Sequence, residues 1–173
     1  VFALSNNHVY ANNNEARPGD PLLQPGVADG GRNPDDVVAT LHDFQEIDFC
    51  RTRFSCPLVQ MDAAIAATTP ADVGFATPDD GYGNPRSTPA EATLGMKGQK
   101  YGRTTGHTHG TVTGINAVID VSYRGGTARF EDQILITGGG FSAGGDSGSL
   151  IVSEGLLAAD RRPVGLLFAG SAT

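Results

Sequence analysis

Phe141-Ser142-Ala143-Gly144-Gly145-Asp146-Ser147-Gly148-Ser149, running into the apolar Leu150-Ile151-Val152, is the stretch on which the reading of this chain turns. A serine becomes a nucleophile when the backbone around it turns tightly and aims N–H groups at a developing negative charge. Gly144, Gly145 and Gly148 supply that freedom, because glycine alone approaches a substrate without a side chain and adopts positive φ cheaply. Asp146 beside the serine can hold the turn through an ion pair or through backbone hydrogen bonds. The plainer reading is a polar hairpin between two strands, in a chain with 24 glycines. On its own the string supports both, and the residues upstream discriminate between them.

The 173 residues make one domain or two small halves, with enough chain to bury a core. Charged residues are only 18% of the chain, against 24 glycines and 10 prolines, which describes a turn-rich β protein rather than a helical bundle or a disordered segment. A formal net charge of −7, with lysine confined to Lys97 and Lys100, speaks against nucleic-acid or anionic-membrane partners. No apolar run approaches the length of a membrane span. Cys50 and Cys56 can close a small disulfide loop or stay reduced; the disulfide is the preferred reading, and with it an extracellular or secreted location.

Taken in order, Val1–Ser5 reads as a strand and Asn6-Asn7-His8-Val9 as a turn or one helical turn. Residues 12–36 form a long excursion rich in turn signals, with a short strand near Leu22-Leu23. Val37–Phe44 alternates like a strand, and Met61-Asp62-Ala63-Ala64-Ile65-Ala66 is a short strand with one carboxylate inside it. Such a carboxylate needs a cationic or N–H partner or an exit to solvent. Residues 68–90, carrying four prolines, read as a connector between a first half, 1–67, and a second half, 91–173. In the second half a strand at Tyr101–Thr105 is expected to turn through Gly106–Gly110 into a long strand at Thr111–Val121. A hairpin tip at Arg124–Thr127 and a return strand at Ala128–Thr137 follow, and the last strand is Val164–Phe168. No repeat is visible.

His8, Asp62 and Ser147 thus follow one another, each in a distinctive setting: a histidine after a strand, a carboxylate in an apolar run, a serine in a glycine elbow. A serine hydroxyl needs an imidazole to take its proton, and the imidazole needs a carboxylate to fix its tautomer. Leu4-Ser5-Asn6-Asn7-His8-Val9, Met61–Ala66 and Gly145–Ser149 resemble, in that order, the histidine, aspartate and nucleophile segments of the chymotrypsin-like serine proteases, in their prokaryotic form. Pro163–Ser171 resembles the family's cleft strand. The resemblance implies an all-β fold of two antiparallel barrels, with His8 and Asp62 in the first and Ser147 in the second. The chain starts just before His8 and stops before the family's last strand and helix, so the first barrel is expected to be incomplete. Trimmed segments or an additional chain would complete it.

The resemblance further implies a cofactor-independent endopeptidase acting on a polypeptide substrate. Ser147 attacks, His8 is base and then acid, Asp62 orients His8, and the N–H groups of Gly145 and Ser147 form the oxyanion hole. Phe168 stands where many relatives carry a serine that bonds the aspartate, so Asp62 is expected to find another donor. Phe141, six residues before the nucleophile, replaces an acid at the specificity pocket, which disfavours Arg or Lys substrates and favours small or medium apolar side chains. Phe168, Ala169 and Gly170 line the cleft, where an extended peptide can pair. Rival functions are a non-catalytic binding domain on the same fold and a self-processing protease.

Other candidates read more plainly. His107 and His109 alternate, as a metal pair would, but no third ligand lies nearby and hydrogen bonding in a turn is preferred; no metal is expected. His42 beside Asp43 is the rival base, and adjacent strand residues point apart. The acidic pairs Asp35-Asp36 and Asp79-Asp80 read as solvated turns rather than calcium loops.

Overall fold

The computed structural model describes residues 1–52, 54–157 and 160–171, and it is built almost wholly of strands. The chain forms two compact units: Val1–Ile47 with Met61–Gly74, and Asp48–Gln60 with Phe75–Thr173.

The first unit holds β1 (Phe2–Ser5), α1 (Asn7–Tyr10), β2 (Pro21–Leu23), β3 (Val37–Phe44) and β5 (Ala64–Thr68). Its sheet has four antiparallel strands in the order β1-β5-β3-β2. Small residues let it pack closely. Ala39, Leu41, Ala64 and Ala66 alternate inward along β3 and β5 and are buried, and Ala11 joins Leu41 and Ala64 beneath Tyr10 and Phe44. The period-2 pattern of each strand fixes this face. Both ladders stop at Ala64, paired with Ser5 on one side and Phe44 on the other. Asp62 therefore lies just before the strand, not inside it as the apolar run suggests. Its backbone and carboxylate are taken by the histidine turn rather than by a ladder.

The second unit holds β4 (Leu58–Val59), β6 (Lys97–Gly102), β7 (Gly106–Tyr123), β8 (Gly126–Thr137), β9 (Leu150–Ser153) and β10 (Pro163–Leu166). Its six strands run in the order β10-β9-β6-β7-β8-β4, antiparallel except for the β4–β8 pair. The turn between β6 and β7 is Arg103–Thr105, closed by the Gly102–Gly106 pair. The expected turn at Gly106–Gly110 is instead the first third of β7. Gly110 is there for space, since a Cβ on it would meet the Ile136 methyl at 2.5 Å and the Phe141 ring at 3.0 Å, whereas Gly106 has open space around it and a φ of 63°. Between β7 and β8 the register slips where Asn116 (φ 54°) and Asp132 (φ 58°) turn left-handed, which asparagine and aspartate tolerate better than most residues.

The core of this unit is Val112, Ala128, Phe130, Ile151 and Val152. An aromatic series runs through it: Phe49 to Tyr123 at 6.1 Å, Tyr123 to Phe130 at 6.2 Å, and Phe130 to Phe168 at 4.8 Å between ring centroids. Cys50 and Cys56 form a disulfide, and Cys50 N–H donates to Thr127 O at 2.8 Å, so the small loop is fastened to the start of β8. The proline-rich residues 75–95 have no regular element. Arg86 N–H donates to Arg161 O and Ala90 N–H to Pro163 O, each at 2.8 Å.

Phe130 is fully buried and touches both neighbouring rings. Replacing it with alanine is expected to cost about 3–5 kcal/mol, read as a fall in the urea midpoint with an unchanged slope.

Candidate active site

His8 is the second residue of α1, and α1 exists because Asn6 has extended geometry (φ −84°, ψ 154°) before Asn7 turns helical. The Asn6 side chain makes no capping bond. It reaches across instead, and Asn6 Nδ2 donates to the Asp62 carbonyl at 2.8 Å. Asn7 anchors the turn from its other side, donating through Nδ2 to Asn14 Oδ1 (2.7 Å) and to Gln45 O (2.6 Å) and accepting from Asn14 N–H (3.1 Å). Asn14 in turn bonds both the N–H and the carbonyl of Ile47 at 2.9 Å. It closes a run of left-handed asparagines, Asn12 to Asn14, at φ 47°, 58° and 73°.

Within this frame Asp62 meets His8 twice. Oδ1 accepts the His8 N–H at 3.1 Å and Oδ2 lies 2.6 Å from His8 Nδ1. The carboxylate is fully buried, while the His8 side chain keeps 21% of its exposure. A carboxylate only accepts, so the ring proton sits on Nδ1 and a neutral imidazole keeps Nε2 as its lone-pair nitrogen. That is the tautomer a general base requires.

The serine loop is organised around Asp146 in the same manner. Asp146 Oδ1 accepts from Thr104 N–H (2.8 Å) and Thr105 N–H (3.1 Å), and Oδ2 accepts from Thr105 Oγ1 (2.7 Å) and Ala143 N–H (3.0 Å). Lys100 Nζ lies 3.3 Å from Oδ2, with both side chains at zero exposure. Both modes of support expected for Asp146 therefore operate together. Burial alone pushes the Asp146 carboxyl up, but the hydrogen bonds from Thr105, Ala143 and Thr104 outweigh it and hold the group well below the usual carboxylate range.

Behind the aspartate, Ser149 Oγ donates to Asp146 O at 2.6 Å, and Gly148 N–H donates to Leu167 O at 2.8 Å. Ser147 is carried half-exposed between Gly145 (φ 100°) and Gly148 (φ 85°). A Cβ on Gly145 would stand 2.5 Å from Thr104 Oγ1, so both conformation and space demand glycine there. Neither Gly145 N–H nor Ser147 N–H donates a hydrogen bond among the described residues.

Phe141 is buried, its ring edge over Gly110 and 5.9 Å from Lys100 Nζ, and its carbonyl accepts from Thr108 Oγ1 at 2.7 Å. Phe168 packs on Phe130, Ala169 is half-buried, and Gly170 is exposed where a Cβ would come within 3.1 Å of Ser142 Oγ. His8 and Asp62 are thus joined in the first unit, and Ser147, Gly145, Phe141, Phe168, Ala169 and Gly170 all belong to the second.

The other histidines are engaged elsewhere. His107 spans Asp80 O (3.2 Å) and Gln99 Oε1 (2.8 Å), and His109 Nδ1 lies 3.3 Å from Glu154. Among the described residues no cluster of three His, Cys, Asp or Glu side chains could hold a metal ion. The His42 ring stacks on Phe2 at 4.8 Å, and Asp43 Oδ1 accepts its neighbour's N–H. Sequence reading missed Lys100, Asn6 and Asn7. Lysine occurs only twice in the chain, but nothing local tells which of the two turns inward.

No protein-family model matches the sequence, and no curated protein does either. Solved structures do match. A glutamic acid specific serine protease, described as using a histidine triad in substrate binding, aligns with a TM-score of 0.61 at 21% identity, over 98% of this chain and 72% of that one. Cellulomonas bogoriensis chymotrypsin gives 0.57 at 19% identity, over 98% and 70%. Nocardiopsis protease gives 0.54 at 18%, over 99% and 77%. The fold is that of the chymotrypsin-like serine proteases. The segments singled out in the sequence and the architecture found in three dimensions lead to the same fold.

Removing the Lys100 ammonium strands a buried carboxylate, so Lys100→Met is expected to destabilise the protein by about 3–5 kcal/mol in thermal melts. Asp146 stabilises fully above the unfolded carboxylate value of about 3.9, and that contribution is lost as pH falls toward its depressed folded value. The stability gap between wild type and Asp146→Asn is therefore expected to be constant from neutral pH down to about 5 and to shrink below about 4.

Proposed function

We propose that this protein is a serine endopeptidase, cleaving polypeptides through an acyl-enzyme and needing no cofactor. The observation that carries the reading is the 2.6 Å contact between His8 Nδ1 and the buried Asp62 carboxylate. A surface histidine has no need of a desolvated carboxylate, whereas a general base uses one to fix its tautomer and to stabilise the imidazolium. Ser147 attacks the scissile carbonyl as His8 Nε2 takes its proton. The same nitrogen returns a proton to the leaving amine, and water then repeats the cycle to release the acid.

The N–H groups of Gly145 and Ser147 receive the oxyanion, each worth on the order of 3 kcal/mol to the transition state. In this reading residues 1–67 carry the base and its carboxylate, 68–90 connect, and 91–173 carry the nucleophile and cleft. Phe141 in place of an acid, next to the buried Lys100 ammonium, argues for uncharged small or medium apolar side chains at the cleaved bond. The Cys50–Cys56 disulfide supports an oxidising, extracellular setting.

A fluorophosphonate probe is expected to label Ser147 in wild type, with labelling lost in Ser147→Ala and His8→Ala. Peptide hydrolysis in these variants should fall by roughly 10⁴- to 10⁶-fold in kcat. Folded wild-type protein that takes no label under these conditions would refute the reading.

A further inference from the structure

We propose that Asn6 is a positioning residue for the His8–Asp62 pair, holding the Asp62 main chain so that its carboxylate faces the imidazole. Three observations converge on it. The β1–β5 ladder ends at Ser5–Ala64, so Asp62 lies beyond the last paired residue, one position before Ala63, whose carbonyl accepts from Gln45 N–H at 2.9 Å. Asn6 Nδ2 donates to the Asp62 carbonyl at 2.8 Å in a buried contact, extending the β1–β5 connection past the point where strand pairing stops. Asn6 is also the residue from which α1 starts, two positions before His8. One side chain thus ties the backbone that carries the carboxylate to the backbone that carries the ring.

A further observation is what the residue gives up. Asn6 is completely buried, makes no capping bond to α1, and leaves its Oδ1 without a hydrogen-bond partner among the described residues. A buried amide oxygen left unpaired is destabilising, and capping is the usual service of asparagine at this place. An apolar side chain of similar size would avoid the unpaired acceptor. The residue is explained by its donor half, whose single contact is Asp62 O. Asn7 and Asn14 serve differently, since their bonds run to each other and to Gln45 and Ile47 and never to Asp62.

The catalytic meaning of this role rests on the peptidase reading, but its geometric content does not, and the test separates the two. In Asn6→Leu the branching at Cγ is kept, the donor is gone and the side chain is larger; Asn6→Ala makes only space and keeps the test readable if leucine overpacks. The first readout is the His8 Nδ1 proton in NMR, assigned by its loss in His8→Gln, and the second is peptide hydrolysis. In folded variants the ring proton is expected to exchange with water about tenfold faster, and kcat to drop about tenfold at unchanged KM, the effect of one hydrogen bond. A folded Asn6→Leu protein whose ring proton keeps the wild-type shift and exchange rate overturns the proposal, whatever its kcat. Faster exchange in the variants of a protein with no peptidase activity would sustain the positioning role while refuting the hydrolase reading.

Discussion

Asp62 and Asp146 both have carboxyl groups withdrawn from water, and a group in that position needs hydrogen-bond partners from the chain around it. The local architecture of each unit follows from that requirement. Around Asp146 gather the β6–β7 turn, which supplies two N–H groups and a hydroxyl, the Ala143 N–H from the serine's own loop, and the ammonium of Lys100 from inside β6. Around Asp62 gather the N–H and ring of His8. Each carboxylate bonds backbone or side chains from segments far away in sequence, so each acts as a rivet whose removal frees several elements at once.

Glycine placement follows from the same crowding. A Cβ on Gly102 would fall 2.4 Å from Asp146 Oδ1, and one on Gly145 would collide with Thr104. Donors can close around the carboxylate only where the surrounding chain has no side chain of its own. The glycines that make the serine motif recognisable therefore serve the packing of its neighbour as much as the exposure of the hydroxyl.

Much of this was legible from residue order. Strand alternation located β1, β3, β8 and β10 to within a few residues, and the three segments around His8, Asp62 and Ser147 indicated the fold family. What was not legible depended on contacts across the fold. Gly106–Gly110 has the composition of a turn, but the pairing of Gly102 with Gly106 moves the turn three residues earlier, and Gly110 is explained by the Ile136 and Phe141 side chains packed against it. Asp62 sits in a run that reads as strand, yet its polar groups are claimed by His8 and Asn6. Lys100 carries no local sign of burial, and its partner is known only once the serine loop has been folded over it. Asn6-Asn7 reads as turn-forming, whereas both side chains work at long range.

The burial of Lys100 against Asp146 also bears on how the molecule is born. These two charges come from β6 and from the loop before β9, with the whole β7–β8 hairpin synthesised between them. Until that hairpin has formed and brought the loop back, neither charge has its mate, and the backbone around Ser147 has no scaffold to bend upon. A nascent or partly unravelled chain would carry the serine in a loose glycine tract. The shape of its loop then arrives late and all at once, as a property of the finished unit.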